Sequence, residues 1–184
     1  NAESVDILRR LHEAGADLLQ VAHGGGETVL MLAARAGWSQ AFDYLLAAGV
    51  PADAVRHDGS TLLHIAAHGS RRDIFDKALQ MSGDVNARNR QGQTPLWLAA
   101  HHNRRDHVIA LLDAGADPTI PDVKQRTPDM VCQSPLQRAT QHVVLTAQRK
   151  WRDSAKASPQ KRLRNGHYPP PPRPRGGFYP SKRR

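Results

Sequence analysis

The chain holds 184 residues, with 26 Lys and Arg against 17 Asp and Glu, a formal charge of +9 and a pI near 10.4. That length fits one domain with a tail or two very small domains. No apolar run is long enough to cross a membrane as a helix, and the single cysteine, Cys132, excludes an internal disulfide framework and a thiolate zinc site.

The chain opens on Asn1, as expected of a processed chain or a fragment, and no targeting segment with an apolar core stands there. Ile7-Leu8 followed by Gly15-Ala16-Asp17 has the pattern of one helix closed by a glycine turn. Thr28-Val29-Leu30-Met31-Leu32-Ala33-Ala34 then starts a unit with helices predicted near 28–36 and 38–47. Thr61-Leu62-Leu63-His64-Ile65-Ala66-Ala67 starts a second, with helices near 61–68 and 71–80. Thr94-Pro95-Leu96-Trp97-Leu98-Ala99-Ala100 starts a third, near 94–101 and 104–113. Thr127-Pro128 begins a degenerate fourth, predicted near 128–133 and 135–156. The four threonines are 33 residues apart each time, and Gly26, Gly59 and Gly92 each precede a threonine by two.

Each threonine can cap the helix that follows it. The paired alanines keep that helix thin, and the leucines near Leu45-Leu46, Leu79 and Leu111-Leu112 form the buried stripe of a second helix. No such short pair buries its own apolar face, so stacking must supply the core.

The 33-residue period, the threonine-led opening and the Gly115-Ala116-Asp117 type of closing together resemble the ankyrin repeat family, over roughly residues 2–147. The resemblance implies an all-α solenoid of short antiparallel helix pairs with hairpin-like finger loops. It assigns residues 1–150 to the stack, with a partial N-terminal unit, three full repeats and a degenerate cap. Residues 151–184 are then the end of the final helix and an extended basic tail.

Ankyrin proteins usually bind through their concave face, made of fingers and first helices. The fingers here are Val55-Arg56-His57-Asp58, Arg88-Asn89-Arg90-Gln91 and Asp122-Val123-Lys124-Gln125. Arg35, His68 and His101 face the same side on the first helices. The resemblance therefore nominates Arg56, His57, Arg88, Arg90, His68, His101 and Trp97 as protein-binding. His64 holds the family's histidine position, which ties a loop down. Trp97 replaces that histidine and is not expected to do the same work; its ring is either an exposed anchor or packs on the neighbouring finger. Arg71-Arg72 and Arg104-Arg105 hold equivalent places in consecutive repeats and form a basic strip, open to phosphate, an acidic partner or solvent alone.

From Ala155 the apolar pattern stops, and four prolines at 169–172 favour an extended form. Residues 149–184 carry 12 basic side chains and one acidic, for +11, whereas residues 1–120 carry 11 basic and 14 acidic, for −3. Cations on an extended backbone suit phosphate contacts. Arg149, Lys150, Arg152, Lys156, Lys161, Arg162, Arg164, Arg173, Arg175, Lys182, Arg183 and Arg184 are the candidate RNA contacts, with Tyr168, Phe178 and Tyr179 able to stack on bases. Docking on an acidic protein or a proline-binding groove is the competing expectation, and a solubilising end the plain one.

His64 and His68 share a helix face without a third ligand at fixed spacing, Gly24-Gly25-Gly26 lacks the lysine of a phosphate loop, and Cys132 has no base beside it in sequence. No metal, no cofactor and no catalysis are expected. The expected role is a scaffold in a large assembly such as a ribosome, with protein on the stack and RNA on the tail. A protein-only complex subunit is the alternative. The expected compartment is intracellular, mitochondrial or cytoplasmic, and the chain does not choose between them.

Overall fold

The computed structural model describes residues 2–18, 21–22 and 25–157. Helix α1 (Ala2–Glu13) packs on α3 at the N-terminal end. Strands β1 (Val21–Ala22) and β2 (Glu27–Thr28) pair antiparallel, Val21 with Thr28 and Ala22 with Glu27. Three helix pairs follow: α2 (Val29–Ala36) with α3 (Ser39–Ala47), α4 (Leu62–His68) with α5 (Arg72–Met81), and α6 (Pro95–His101) with α7 (Arg105–Asp113). A 3-10 turn, Pro135–Gln137, leads into α8 (Arg138–Ala157). Helix α4 packs between α2 and α6, α5 packs between α3 and α7, and α8 closes on α7, which is an all-α solenoid.

The period appears in the core as rows of equivalent side chains. Leu30, Leu63 and Leu96 are at most 2% exposed, and Ala33-Ala34, Ala66-Ala67 and Ala99-Ala100 at most 3%. The small alanines let successive first helices approach, and the leucines fill the space between layers. On the second helices Phe42, Phe75 and Val108 form one buried row, and Leu45, Ala78 and Leu111 another. Threonine caps work as the sequence suggests in two repeats: Thr28 Oγ1 accepts from Met31 N–H at 3.2 Å and Thr94 Oγ1 from Trp97 N–H at 3.1 Å.

The fingers are joined tip to tip by backbone. His57 N–H donates to the Gly25 carbonyl at 3.0 Å, Arg90 N–H to Asp58 at 2.8 Å and Val123 N–H to Gln91 at 2.9 Å. This row explains the fingertip glycines. Gly59 and Gly92 have φ of +80° and +73°, and a Cβ on Gly92 would stand 2.9 Å from the Val123 amide nitrogen.

The helix expected over 128–133 is not formed; residues 128–131 make a turn instead. Thr127 does not cap here, because its hydroxyl donates to Asp129 Oδ1 at 2.6 Å. The long final helix survives as α8, reached through Ser134, whose side chain and Gln137 make a reciprocal cap.

Gly92→Ala is predicted to destabilise the stack by more than about 1 kcal/mol, through strain at positive φ and displacement of the Val123 finger. Gly83→Ala, where a Cβ meets nothing within 4 Å, is the control and should be close to neutral. Urea unfolding of the two variants checks this.

Candidate functional site

His64 is fully buried and satisfied at both nitrogens. Its Nδ1 accepts from Thr61 N–H at 3.2 Å, so Nε2 carries the proton and donates to the Gln93 carbonyl at 3.1 Å. It therefore closes its own helix start and ties it to the next repeat. Trp97 holds the equivalent position and is only 2% exposed. Its Nε1–H donates to the Arg126 carbonyl at 3.0 Å, and the Arg126 guanidinium lies 5.2 Å from its ring. Of the two expectations for its ring, packing on the neighbouring finger holds and the exposed anchor does not. One expectation is corrected: Trp97 does perform the cross-repeat half of the histidine's work, because an indole N–H reaches a carbonyl as an imidazole N–H does. It cannot accept, so the local half is lost.

The other nominated residues fall into three groups. Arg56 and His57 sit at one fingertip; a Cβ on Gly26 would meet the His57 ring at 2.6 Å, and Arg56 faces Asp58 at 3.8 Å. Arg88 is exposed but occupied, donating to the Gly92 carbonyl at 3.2 Å and to the Pro121 carbonyl at 2.9 Å, while Arg90 beside it is exposed with no side-chain bond among the described residues. Asp122 is buried beneath the last finger, bonded by Lys124 N–H, Arg126 N–H and the Arg126 side chain. Burial alone would raise its pKa, but those bonds hold it below the usual carboxylate range.

The third group was only half visible in sequence. His68 and His101 are exposed, and they are brought together by His102, which follows α6 and stands 33 residues after Gly69. The His102 ring centroid is 4.0 Å from that of His68 and 4.9 Å from that of His101. The imidazoles face one another and Arg104, whose Nε donates to the His68 carbonyl at 3.3 Å. Burial first, and then Arg104 and the neighbouring rings, lower the His68 pKa; burial, then His68, His101 and Arg104, push His102 down to about 4. Among the described residues no group of three or more His, Cys, Asp or Glu is placed to hold a metal.

The basic strip exists, though most of it is engaged within the stack. Arg71 donates to Ser39 Oγ at 2.8 Å, and Arg72 bonds Asp76 at 2.7 Å and the Asp106 carbonyl at 3.1 Å. His107 was not foreseen as a core residue. It takes the place held by Ala41 and Ile74 in the earlier repeats and stacks on Phe75, centroids 4.0 Å apart and 3° from parallel.

Of the candidate RNA contacts, Arg149, Lys150 and Arg152 are exposed near the end of α8, the final helix on which the sequence places them. Lys156 is within α8, but its side chain lies outside the described residues, as do Lys161, Arg162, Arg164, Arg173, Arg175, Lys182, Arg183 and Arg184. Cys132 is buried, with its thiol against the Pro128 and Ala100 carbonyls, and burial followed by Asp129 pushes its pKa up to about 11, which suppresses thiolate chemistry.

A family model described as ankyrin repeats (3 copies) matches residues 1–88 and 39–122. The chain belongs to the ankyrin-repeat family. A comparison with curated proteins gives no significant match. The general role of ankyrin repeats, a protein-binding scaffold, is the role of this chain.

Two predictions follow from the ankyrin geometry. Trp97→Ala should cost about 3–5 kcal/mol of folding free energy, by lost burial plus an orphaned carbonyl, while Trp97→His should recover much of it; chemical denaturation reads both. His64, His68, His102 and His107 all have folded pKa values below the ordinary 6.5. The unfolded chain then binds more protons below that pH, so stability is fully present above about pH 6.5 and is lost as pH falls toward the folded values. Melting temperature measured from neutral pH down to about pH 5 should fall steadily.

Proposed function

We propose that this protein is a scaffold subunit of a large ribonucleoprotein, seating a protein partner on its ankyrin stack and anchoring to RNA through its basic C-terminal segment. The observation that carries this is the separation of charge: −3 over residues 1–120 against +11 over residues 149–184. Repeats with a net negative charge, as over residues 1–120, are a poor surface for a polyanion, whereas a run of arginines and lysines beside aromatic residues is a good one. The exposed Arg149, Lys150 and Arg152 on α8 would begin that RNA contact at the edge of the stack. Arg56, His57 and Arg90 on the fingers, with His68 and His101, would lie within reach of a protein partner.

The test is a pull-down with the full chain, with and without nuclease, together with direct binding to single-stranded RNA. Deletion of residues 158–184 should weaken RNA binding by about tenfold or more, and added salt should weaken it in the intact chain. Recovery of the same proteins after nuclease, with no RNA binding to begin with, would instead support docking of the basic segment on an acidic protein surface.

A further inference from the structure

The edge of the stack opposite the fingers, where first helices end and second helices begin, carries an arrangement that the repeat framework does not use. Arg71 and Arg104 occupy the N-cap positions of α5 and α7 and make no side-chain cap bond, so the first-turn N–H groups of both helices lack the usual Ser, Thr or Asp acceptor. A hollow of about 280 Å³ opens there, lined by Ser70, Arg72, Asn103, Arg104, Arg105 and Asp106, with His107. Three of these are guanidinium groups and one is a carboxylate. The three-imidazole cluster of His68, His101 and His102 adjoins it directly in the chain, and no carboxylate among the described residues pairs with any of those rings. Arg105 is exposed and forms no ion pair among the described residues.

We infer that this edge is a docking site for an acidic segment of a partner protein, whose Asp and Glu side chains supply the missing helix caps, sit against Arg104 and Arg105, and draw a proton from solvent onto the His68–His102 pair as they bind. Deepening the scaffold reading above, this names the partner's chemistry. The size of the patch favours peptide carboxylates over nucleic acid. Asp73, Asp76 and Asp106 lie nearby in sequence, and residues 1–120 carry a net −3, so a long polyanion running along the repeats is repelled where a short acidic segment is not.

The groups that set the state of His102 are His68 from α4, His101 from α6 and Arg104 ahead of α7; around the hollow stand Arg72, Arg105, Asp106 and His107. Uncomplexed, burial first, and then the neighbouring rings and Arg104, keep His102 neutral, at about 4. A carboxylate arriving beside it reverses the surround and draws a proton onto the ring. A carboxylate that raises the His102 pKa in the complex couples binding to proton uptake, so association is tighter near pH 5.5 than near pH 7.5.

The probe is a short synthetic peptide of alternating Glu and Ala, added to the full chain, with its Gln-for-Glu counterpart as control. The His68 and His102 ring resonances are followed by NMR across pH, so that capture by the basic C-terminal segment is told apart from binding at this edge. The inference expects both rings to shift and titrate higher with the Glu peptide only. It also expects His102→Gln to remove most of the pH dependence and Arg105→Gln to weaken binding severalfold. Peptide binding that leaves both rings unmoved overturns it, as does a response of the rings to oligouridylate rather than to the peptide. If the rings stay silent while the pull-down recovers proteins that His102→Gln does not release, this inference fails and the scaffold reading stands. If no protein is recovered at all, the scaffold reading fails with it.

Discussion

No repeat in this protein can bury its own apolar face, and every other feature follows from that constraint. A pair of helices of seven to ten residues leaves one side of Leu30, Leu63 or Leu96 without a partner unless another pair lies against it. The neighbours must therefore be held in register, and the polar groups that remain at each junction must be satisfied. His64 and Trp97 do this from inside, reaching across to the carbonyl of the residue before the next repeat's threonine. The fingertip amides do it from outside. The two devices fix the same 33-residue offset, one by side chain and one by backbone.

The stack leaves its own charges unevenly spent. Arg35 is held by Glu27, Arg126 by Asp122, and Arg71 and Arg72 by neighbouring repeats. Among the groups left open are Arg90 on a finger, the imidazoles at the first-helix ends and Arg105 beside the hollow, along with exposed carboxylates such as Asp113. A scaffold presents recognition on a rigid framework, and these groups stand on helix ends and finger tips whose backbone is fixed by the stacking itself. The concentrated positive charge of the C-terminal segment lies beyond that framework.

Much of this was legible in the sequence, because a repeated pattern states the packing several times over. The threonine caps, the alanine pairs and the leucine rows recur at one spacing, and each helix pair falls within a residue or so of where that pattern puts it. The failures occur where one copy departs from the others. Trp97 was not expected to do the work of the histidine it replaces, yet an indole retains the one donor needed to reach the next repeat. Thr127-Pro128 looked like another helix start, but Asp129 takes the threonine hydroxyl. His102 stands out in sequence only beside His101 and His107; its meeting with His68 was not visible, since that imidazole belongs to the preceding repeat and is 34 residues away. His107 was hidden for a similar reason: its stacking partner, Phe75, lies on another layer.

The claim that the repeats form one cooperative core in fixed register is tested most directly by native-state amide hydrogen exchange at His57, Arg90 and Val123, the three fingertip donors. All three amides should be protected well above exposed loop amides, with similar opening free energies that fall together when a core residue of any one repeat is truncated. Exchange at the rate of free loops, or protection that responds only to changes in the residue's own repeat, would contradict it.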